Sequence, residues 1–488
     1  MRLHDLLDGL DVLEVRGSAD VDVETVVSDS RASRPGSLFA CVPGSTTDGH
    51  VHAPAAVANG AVALLVERIL PLEVVQVRVA SVRRAVGPMA ARALGEPSRS
   101  LRVLGVTGTN GKTTTAYLLD AIARAAGDTT GLIGTIETRI GEVTSAPEHT
   151  TPEAADLQQL FARMRDANVR TAAMEVSSHA LDQFRVDGTR FAAVCFTNLS
   201  QDHLDYHGSM DQYFEAKARL FTDEFTDRAA INVDDAHGAL LAERARNAGV
   251  EVFTYIVAHG DVHATYVTSN RNGSRFDVRW PDGAHAAITT TLAGPFNVEN
   301  AIAAATTARL AGFGIDAIAE GLTQSAVVPG RMERIDAGQP FTVLVDYAHT
   351  PDALERVLSA ARSLTTPGGR IVLVYGCGGD RDRGKRPLMG AAAARGADIA
   401  FLTSDNPRSE APEAIVADVL AGVSPSSHPI VETDRRVAIH DALREARAGD
   451  VVVIAGKGHE SGQTIGGETH PFDDRTVARA ELEALACR

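Results

Sequence analysis

The alternation of apolar and polar stretches along the chain predicts an α/β fold with mostly parallel sheets. Short apolar runs rich in valine, isoleucine and leucine recur along its length, and stretches with apolar residues at helical spacing separate them. Runs that are apolar on both faces are typical of strands in a parallel sheet that helices cover on both sides. Polar clusters directly follow several of these runs. Since open α/β sheets bind ligands at the carboxyl ends of their strands, those clusters are the candidate sites.

The same pattern divides the chain into three units. We expect a small α/β domain at residues 1–98, a central domain with a mostly parallel sheet at 99–328, and a Rossmann-like α/β domain at 329–488. The segment 95–100, which contains glycine and proline, is expected to link the first two. A chain of 488 residues is too long for a single core, which agrees with about three domains.

The most informative stretch is 101–115, with the sequence L-R-V-L-G-V-T-G-T-N-G-K-T-T-T. An apolar strand leads into a glycine turn and then into a stretch with helical spacing. The glycines let backbone N–H groups approach phosphate closely, the lysine adds a point charge, and a threonine hydroxyl can bind Mg²⁺. These residues are Gly108, Gly111, Lys112, Thr113 and Thr114. Val106 stands where the usual phosphate-loop motif has its first glycine. The alternative is an ordinary glycine turn before a helix, but the order of the elements favours a phosphate loop.

Composition argues against several classes of function. A net charge of −16 argues against a nucleic-acid partner, so an anionic substrate has to meet local cations. No apolar run approaches the roughly 18 residues that a membrane span needs. Acidic residues interrupt the apolar N-terminal stretch, so we do not expect a secretion signal. The four cysteines are too widely spaced for a metal motif and too few for a disulfide framework, which favours the cytoplasm. They are Cys41, Cys195, Cys377 and Cys487.

Lysine is scarce in this chain. The 47 basic residues include only four lysines, which are Lys112, Lys217, Lys385 and Lys457. Arginine serves wherever a generic positive charge suffices, so lysine indicates amine chemistry, because its pKa can fall on burial whereas guanidinium stays charged. Three of the lysines lie in glycine-rich loops. Lys217 lies in the helix-like stretch D-Q-Y-F-E-A-K-A-R-L-F, where the alternative is a solvated helix face.

The central unit contains polar residues that suit a metal and a nucleotide. Glu175 ends one predicted strand and His203 follows the next, so both are candidate Mg²⁺ ligands near the phosphates, with a structural role as the alternative for His203. Further polar residues in the same loop favour a site, namely Asp202, Asp205 and His207. Asn297 and Asn300 stand at the start of a helix, where we expect one to cap it and the other to bind an amide-edged ligand such as a base.

In the third unit, four predicted strands each end in charged residues, in D-Y-A-H-T-P-D, G-C-G-G-D-R-D-R-G-K-R, S-D-N-P-R-S-E and G-K-G-H-E. Solvated charges would be scattered over helix faces, so this recurrence at one sheet edge indicates a ligand site. The cluster contains Arg381, Arg383, Arg386, Arg408, Asp405 and Glu460. We therefore expect a zwitterionic ligand, with carboxylates for the arginines and an ammonium for the acids. The alternative for D-N-P-R is a proline turn that caps the next helix.

The motifs taken together carry a resemblance to a known family. G-T-N-G-K-T-T, M-E-V-S-S-H, N-L-S-Q-D-H-L-D-Y-H, F-N-V-E-N-A-I-A-A, P-G-R-M-E and D-Y-A-H-T-P-D resemble motifs of the Mur ligases of peptidoglycan synthesis, over essentially the whole chain. Within that family, G-C-G-G-D-R-D-R-G-K-R-P-L-M followed by D-N-P-R resembles the members that add meso-diaminopimelate as the third residue of the stem peptide. The resemblance implies a cytoplasmic ligase that uses ATP and Mg²⁺ and acts on UDP-N-acetylmuramoyl-L-alanyl-D-glutamate and diaminopimelate. We expect no nucleic-acid partner, no membrane span and a monomer.

The resemblance also assigns roles to residues through the motifs that they occupy. Catalytic roles go to Lys112, Lys217 and His203. ATP would be bound by Gly108, Thr109, Asn110, Gly111, Lys112, Thr113, Thr114, Asn297, Asn300, Arg331 and Asp346, and Mg²⁺ by Thr113, Glu175, His203 and a carbamate on Lys217. The UDP end would be bound by Ser28, Ser30, Ser45, Thr46 and Thr47, and the muramoyl dipeptide by His149, Thr150, Thr151, Ser177, Gln183 and Arg185. The incoming amino acid would be bound by Arg381, Asp405, Asn406, Pro407, Arg408, Gly456 and Glu460.

The implied reaction has two chemical steps. ATP phosphorylates the D-glutamate side-chain carboxylate, and the amine of diaminopimelate then attacks the acyl phosphate, which loses phosphate to give an amide. Catalysis is mostly positioning and charge neutralisation, and the domains have to close because the acyl phosphate needs protection from water. One alternative is a ligase of the same architecture that takes a folate and glutamate, as folylpolyglutamate synthetase does, although the D-N-P-R loop and the UDP-like first unit oppose it. The other is a non-enzymatic P-loop nucleotide switch.

Overall fold

The computed structural model describes residues 1–44, 47–270, 273–325, 327–425 and 427–486. Their fold is α/β, built on three large, mostly parallel sheets, as the sequence predicts. Among the described residues, no helix is long and apolar enough to cross a membrane.

The first sheet has the strand order β1-β5-β4-β3-β2. β1 is antiparallel to β5, and the other pairs are parallel. The elements of this unit are α1 (Leu3–Leu6), β1 (Val12–Arg16), β2 (Thr25–Val27), β3 (Ser37–Ala40), α2 (Ala53–Ala58), β4 (Ala63–Val66), β5 (Val75–Val79) and α3 (Val82–Ala93). The expected link at 95–100 is folded rather than extended, because Pro97–Ser100 forms a short 3₁₀ helix and Ser98 Oγ accepts from Arg190 N at 3.1 Å.

The central sheet has the order β13-β12-β11-β6-β10-β7-β8-β9. It is parallel from β13 to β7, and β8 and β9 add an antiparallel hairpin. Its elements are β6 (Arg102–Thr107), α4 (Lys112–Ala125), β7 (Thr130–Ile133), β8 (Thr138–Ile140), β9 (Val143–Ser145), α5 (Ala154–Asp166), β10 (Thr171–Glu175), α6 (Ser178–Asp182), β11 (Ala193–Phe196), α7 (Leu204–His207), α8 (Met210–Ala218), β12 (Arg228–Asn232), α9 (Ala236–Asn247) and β13 (Glu251–Tyr255).

Helices cover both faces of this central sheet. Alternate residues of β6 enter two different cores: Leu104 packs with residues of α4 and α10, and Val103 packs with residues of α5. An antiparallel three-stranded sheet follows β13 and also packs on the first of these cores, which the sequence pattern did not predict. It comprises β14 (His263–Asn270), β15 (Gly273–Arg279) and β16 (His285–Thr290), and α10 (Pro295–Leu310) and α11 (Ile315–Gln324) follow it.

The third sheet has the order β17-β18-β22-β19-β20-β21. Its strands from β18 to β21 are parallel, so the four charged segments lie at one edge, as predicted. Its elements are β17 (Glu333–Ile335), β18 (Thr342–Asp346), α12 (Pro351–Leu364), β19 (Ile371–Tyr375), α13 (Lys385–Gly396), β20 (Ile399–Leu402), α14 (Pro412–Leu420), β21 (Ile430–Val431), α15 (Arg435–Glu445), β22 (Val451–Ala455), β23 (Gly462–Ile465), β24 (Glu468–Pro471) and α16 (Asp474–Ala486).

Candidate active site

The predicted phosphate loop joins β6 to α4, and both of its glycines are required by the backbone. Gly108 has a φ of +145°, and a Cβ there would lie 1.9 Å from Thr197 Oγ1. Gly111 has a φ of +87°, and a Cβ there would lie 2.3 Å from Asn300 Oδ1. Side chains other than hydrogen are therefore excluded from both positions. The turn leaves the N-terminus of a 14-residue helix facing a cavity, which is the arrangement that binds phosphate.

That cavity, of about 240 Å³, lies between the central and C-terminal units. Hydrogen bonds join its walls: Asn110 Nδ2 donates to Asp352 Oδ2 at 2.9 Å, Arg331 Nη2 donates to Thr113 Oγ1 at 3.0 Å, and Arg356 Nη1 donates to Glu299 Oε2 at 3.1 Å. The guanidinium carbon of Arg331 also lies 4.6 Å from the centre of the Tyr347 ring. All the residues predicted to bind ATP line the cavity except Gly108 and Asn297; they are Thr109, Asn110, Gly111, Lys112, Thr113, Thr114, Asn300, Arg331 and Asp346.

Two lysines, the half-buried Lys112 and the buried Lys217, meet beside the phosphate loop. Lys112 Nζ donates to the carbonyls of Gly108 and Thr109 at 2.9 and 2.8 Å, and Lys217 Nζ donates to the same Gly108 carbonyl at 2.9 Å. Lys217 is 1% exposed on α8, and its Nζ lies 4.5 Å from the centre of the Tyr213 ring. The alternative of a solvated helix face is therefore wrong. Burial lowers the pKa of the Lys112 ammonium, and burial together with the charge of Lys112 lowers the pKa of Lys217 well below its ordinary value.

Oxygen atoms suited to Mg²⁺ lie at the start of α4. Thr113 Oγ1 donates to Glu175 Oε2 at 2.9 Å, and Glu175 also accepts from Thr135 N at 2.8 Å and Thr135 Oγ1 at 3.2 Å. The described residues contain no cluster of three or more His, Cys, Asp or Glu side chains that could hold a metal. A few hard oxygens beside a phosphate site fit Mg²⁺, which is usually bound by one or two carboxylates together with phosphates and water.

His203 lies at the cavity, as predicted, but only some of the polar residues of its loop line the cavity. His203 and Asp202 line the cavity, and Asp202 Oδ1 accepts from His203 N at 2.9 Å. Burial lowers the pKa of His203 to about 3, so its imidazole is neutral at pH 7. His207 instead packs inward, with Nε2 2.9 Å from Ser178 Oγ. Neither His207 nor Asp205 lines the cavity.

The expectation that Asn297 or Asn300 caps α10 is wrong. The N-cap residue is Gly294, and no side chain caps the helix. Asn297 Nδ2 donates to Ala293 O at 2.8 Å, and Asn300 Nδ2 donates to Asn297 Oδ1 at 3.2 Å. Asn300 lines the cavity and Asn297 does not, and Asn297 contacts Asn300 through this hydrogen bond.

The residues predicted to bind the muramoyl dipeptide lie only partly at the cavity. Thr150 and Ser177 line the cavity. Arg185 Nη2 donates to Gln183 Oε1 at 2.8 Å and pairs with Glu153 at 2.9 Å. Two further predicted residues differ in exposure, Thr151 being buried and His149 exposed.

Of the residues predicted to bind the UDP end, Ser28, Ser30 and Thr47 do not line the cavity. Ser28 and Ser30 are half-buried after β2. Thr47 Oγ1 lies 3.2 Å from His52 Nε2. Ser45 and Thr46 lie outside the described residues.

The predicted amino-acid site forms where β20 and β22 end. Asp405 is 7% exposed, and a Cβ at Gly456 would lie 2.4 Å from its Oδ2. Asn406 Nδ2 donates to Glu460 Oε2 at 2.8 Å, and the same oxygen accepts from Lys457 Nζ at 2.9 Å. Lys457 is fully buried and thus has a structural role here. The Asp405 carboxylate and the Arg408 guanidinium carry the two opposite charges that a zwitterionic ligand would need, whereas the Glu460 carboxylate is already paired with Lys457.

The arginines of this cluster differ in their surroundings. Arg408 is half-buried, and its Nη1 donates to Gly379 O at 2.6 Å. Arg381 is exposed. The expectation that Arg386 meets a ligand carboxylate is wrong, because its side chain is 0% exposed and pairs with acids of the protein. The alternative of D-N-P-R as a helix cap is also wrong, because α14 begins at Pro412 with Ala411 as its N-cap.

Sequence reasoning missed three residues that shape the cavity. Asn198 is the second residue after β11, and its Oδ1 accepts from Asn110 N at 2.9 Å, which fixes the phosphate loop. Tyr347 stacks with Arg331, and burial lowers the pKa of His349, which also lines the cavity. The signal for Asn198 was its place as the second polar residue after an apolar strand.

Fold and site define a P-loop nucleotide-binding protein whose phosphate loop faces a second α/β domain across a cavity. Family models match most of the chain: the Mur ligase family catalytic domain at residues 22–98, the Mur ligase middle domain at 106–308, and the Mur ligase glutamate ligase domain at 330–458. The chain belongs to the Mur ligase family.

Individual relatives agree with this assignment. A UDP-N-acetylmuramoyl-L-alanyl-D-glutamate--2,6-diaminopimelate ligase of Geobacillus thermodenitrificans is 45% identical over 99% of both chains. A solved structure of a protein with the same name is 36% identical, with a TM-score of 0.72, over 100% of this chain and 99% of that one. A folylpolyglutamate synthase of Mycobacterium tuberculosis, solved with ADP and AMPPCP, shares the fold at 19% identity and a TM-score of 0.63, over 80% of this chain and 93% of that one.

Proposed function

We propose that this chain is an ATP-dependent ligase that joins diaminopimelate to UDP-N-acetylmuramoyl-L-alanyl-D-glutamate in cytoplasmic peptidoglycan precursor synthesis. The observation that carries the proposal is the cavity between the central and C-terminal units. It has a phosphate loop on one wall, and beyond its other wall lies a cluster with both cations and acids. The identity to diaminopimelate ligases over the full length of the chain supports the same substrates.

In the first step, Lys112 neutralises charge on the phosphates as the γ-phosphoryl group moves to the D-glutamate side-chain carboxylate. Arg331 reaches the same region from the C-terminal unit, because it donates to Thr113 at the start of α4. Positioned cations of this kind supply most of the catalysis in phosphoryl transfer. The walls of the cavity exclude water from the acyl phosphate that forms.

Mg²⁺ fits the donor set of this cavity. Thr113 and Glu175 would hold it, with His203 as a neutral nitrogen donor and a carbamate on Lys217 as a further oxygen donor. When bound, the ion would neutralise phosphate charge and so make the phosphorus a better electrophile. Two residues of this set are already tied to each other by a 2.9 Å hydrogen bond.

In the second step, the amine of diaminopimelate attacks the acyl carbon and phosphate leaves. The amino acid would be bound by Asp405, Asn406, Arg408 and Glu460, where β20 and β22 end. Diaminopimelate carries a second ammonium and a second carboxylate at its far end. Asp405 and Arg408, on one loop, match that pair of charges.

A phosphate-release assay tests the proposed function. We expect ATP turnover only when the nucleotide-sugar dipeptide and diaminopimelate are both present. A nucleotide switch would hydrolyse ATP without either substrate, and a folate ligase would instead respond to a folate together with glutamate. A panel of meso-diaminopimelate, LL-diaminopimelate and L-lysine in the same assay identifies the amino acid.

A further inference from the structure

An ion pair between a buried arginine and a half-buried glutamate lies next to the loop of the predicted amino-acid site. Arg386, in the first turn of α13, has a fully buried side chain, and Glu410 lies in the loop before α14. The pair is bidentate: Nη2 donates to Glu410 Oε1 at 2.7 Å and Nη1 donates to Glu410 Oε2 at 3.0 Å. Nη1 also donates to Asp418 at 2.8 Å. The Arg386 guanidinium lowers the pKa of Glu410 to about 2, so the pair is ionised at neutral pH.

This pair joins the two loops that follow β19 and β20. From the first loop, Gly378 O accepts from Arg386 Nη2 at 3.2 Å, and Asp380 N donates to Glu410 Oε1 at 2.7 Å. In return, Asp380 accepts from Ser409 N at 3.1 Å and from Ser409 Oγ at 2.7 Å. One carboxylate, that of Glu410, therefore binds both a buried cation and the backbone of the facing loop.

The joined loops hold two residues in a rare backbone conformation. Asp380 and Arg408 have φ values of +52° and +55°, in the left-handed region that side chains other than glycine seldom adopt. Arg408 Nη1 donates to Gly379 O, so the direction of its guanidinium depends on the position of the first loop. Strained conformations of this kind persist only where surrounding contacts fix them.

We propose that Arg386 and Glu410 are a positioning pair that sets the place of the Arg408 guanidinium and thereby the selection of an amino acid with a distal carboxylate. The proposal rests on the proposed function. Stability alone does not account for the pair, since apolar residues of similar volume commonly serve a buried position at least as well as an ion pair does. The bidentate geometry of the Arg386–Glu410 pair instead fixes the distance between the loops after β19 and β20, which carry the predicted substrate-binding residues.

The test compares E410Q with a matched control, E445Q. Glutamine keeps the shape of Glu410 but gives Arg386 no charge and one acceptor fewer. The control changes an Arg–Glu pair at the opposite edge of the same sheet, where Arg370 Nη1 donates to Glu445 Oε1 at 2.9 Å. We expect E410Q to raise the KM for diaminopimelate by about tenfold to a hundredfold. The KM values for ATP and for the nucleotide-sugar dipeptide should change by less than about twofold, and E445Q should leave all three unchanged.

Several outcomes would overturn the assignment. The assignment is overturned if E410Q folds and its KM for diaminopimelate is unchanged. It is also overturned if all three KM values rise equally and the melting temperature falls. R386K keeps the positive charge but cannot form the bidentate pair, so it tests the proposal if E410Q does not fold. The KM for diaminopimelate should then rise while the KM for ATP does not. If phosphate release by the wild-type chain did not depend on diaminopimelate, the proposed function itself would be overturned, and this assignment with it.

Discussion

Lys112 and Lys217 share one hydrogen-bond acceptor, the carbonyl oxygen of Gly108, and each Nζ lies 2.9 Å from it. Two ammonium groups on one buried carbonyl repel each other, so one of them loses its proton more readily. Glu175 and Asp202 raise the pKa of Lys112 against the effect of burial, whereas Lys112 itself lowers that of Lys217. Lys217 is therefore the lysine of the pair that loses its proton more readily.

A neutral amine at Lys217 can react with CO₂ to give a carbamate and a proton. We expect Lys217→Arg to be nearly inactive although it keeps a positive charge, because guanidinium does not lose its proton at neutral pH. Lys217→Ala should recover part of its ligation rate when a short carboxylate is added. Intact-mass spectra in bicarbonate should show the wild type heavier by one CO₂. An active arginine variant, or a bare amine in bicarbonate, would contradict the idea.

The lowered pKa of Lys217 also predicts how stability changes with pH. In the unfolded chain this lysine stays protonated up to about pH 10.4, whereas in the folded chain it loses its proton at a much lower pH. Between these two pKa values the unfolded chain binds one proton more, so lowering the pH favours unfolding. Lys217→Met removes this pH-dependent loss of stability, because methionine does not bind a proton. In CO₂-free buffer we expect its melting temperature to exceed that of the wild type at pH 7, and the difference to shrink as the pH rises towards 10. A constant difference across this range would contradict the linkage.

Lys112→Ala tests the phosphate loop. Removing one cation that neutralises transition-state charge typically lowers the rate by roughly 10² to 10³. We expect a loss of at least that size in ligation, measured as phosphate release with both substrates at saturation, while the variant stays folded by circular dichroism. Near-normal turnover would remove the loop from the mechanism.

Local patterns predicted the framework of the site because the relevant signals lie within short stretches. The phosphate loop needs a strand, two glycines and a helix within fifteen residues, and these stand in order from Leu101 to Thr115. The apolar runs that end in charged residues predicted that the ends of β18, β19, β20 and β22 lie at one edge of a sheet, but they did not predict the order of these strands. Burial of Lys217 was indicated by the scarcity of lysine.

Sequence alone could not predict which charges are already paired within the protein. Arg386 looks like its neighbours in D-R-D-R-G-K-R, yet its partners Glu410 and Asp418 lie 24 and 32 residues further along the chain. The helix cap at α10 was misassigned because the sequence does not show which partner a side chain takes within the protein. Gly294 is the N-cap of the helix, and the side chain of Asn297 bonds back to Ala293 instead of capping the first turn.

Glu175→Gln tests the proposed place of Mg²⁺. Glutamine keeps an acceptor for Thr135 but removes the negative charge beside Thr113. We expect the Mg²⁺ concentration that gives half-maximal ligation to rise by about tenfold to a hundredfold, as changes next to a metal commonly do. Saturating Mg²⁺ should restore part of the rate. If the Mg²⁺ titration of the variant coincides with that of the wild type, Glu175 does not hold the ion.

Arg408 provides the test of which amino acid is added. Its guanidinium can bind the distal carboxylate of diaminopimelate, whereas with lysine bound it would face an ammonium with no carboxylate between them. Because Arg408 is half-buried and anchored to Gly379, losing it should lower kcat/KM for diaminopimelate by roughly thirtyfold to a few thousandfold in Arg408→Ala. Activity with L-lysine should fall far less. Arg395→Ala, at an exposed arginine of the same unit, is the control and should change neither substrate. A purely structural Arg408 would depress both substrates equally, so an unchanged ratio of kcat/KM for diaminopimelate over lysine would refute its role in selection.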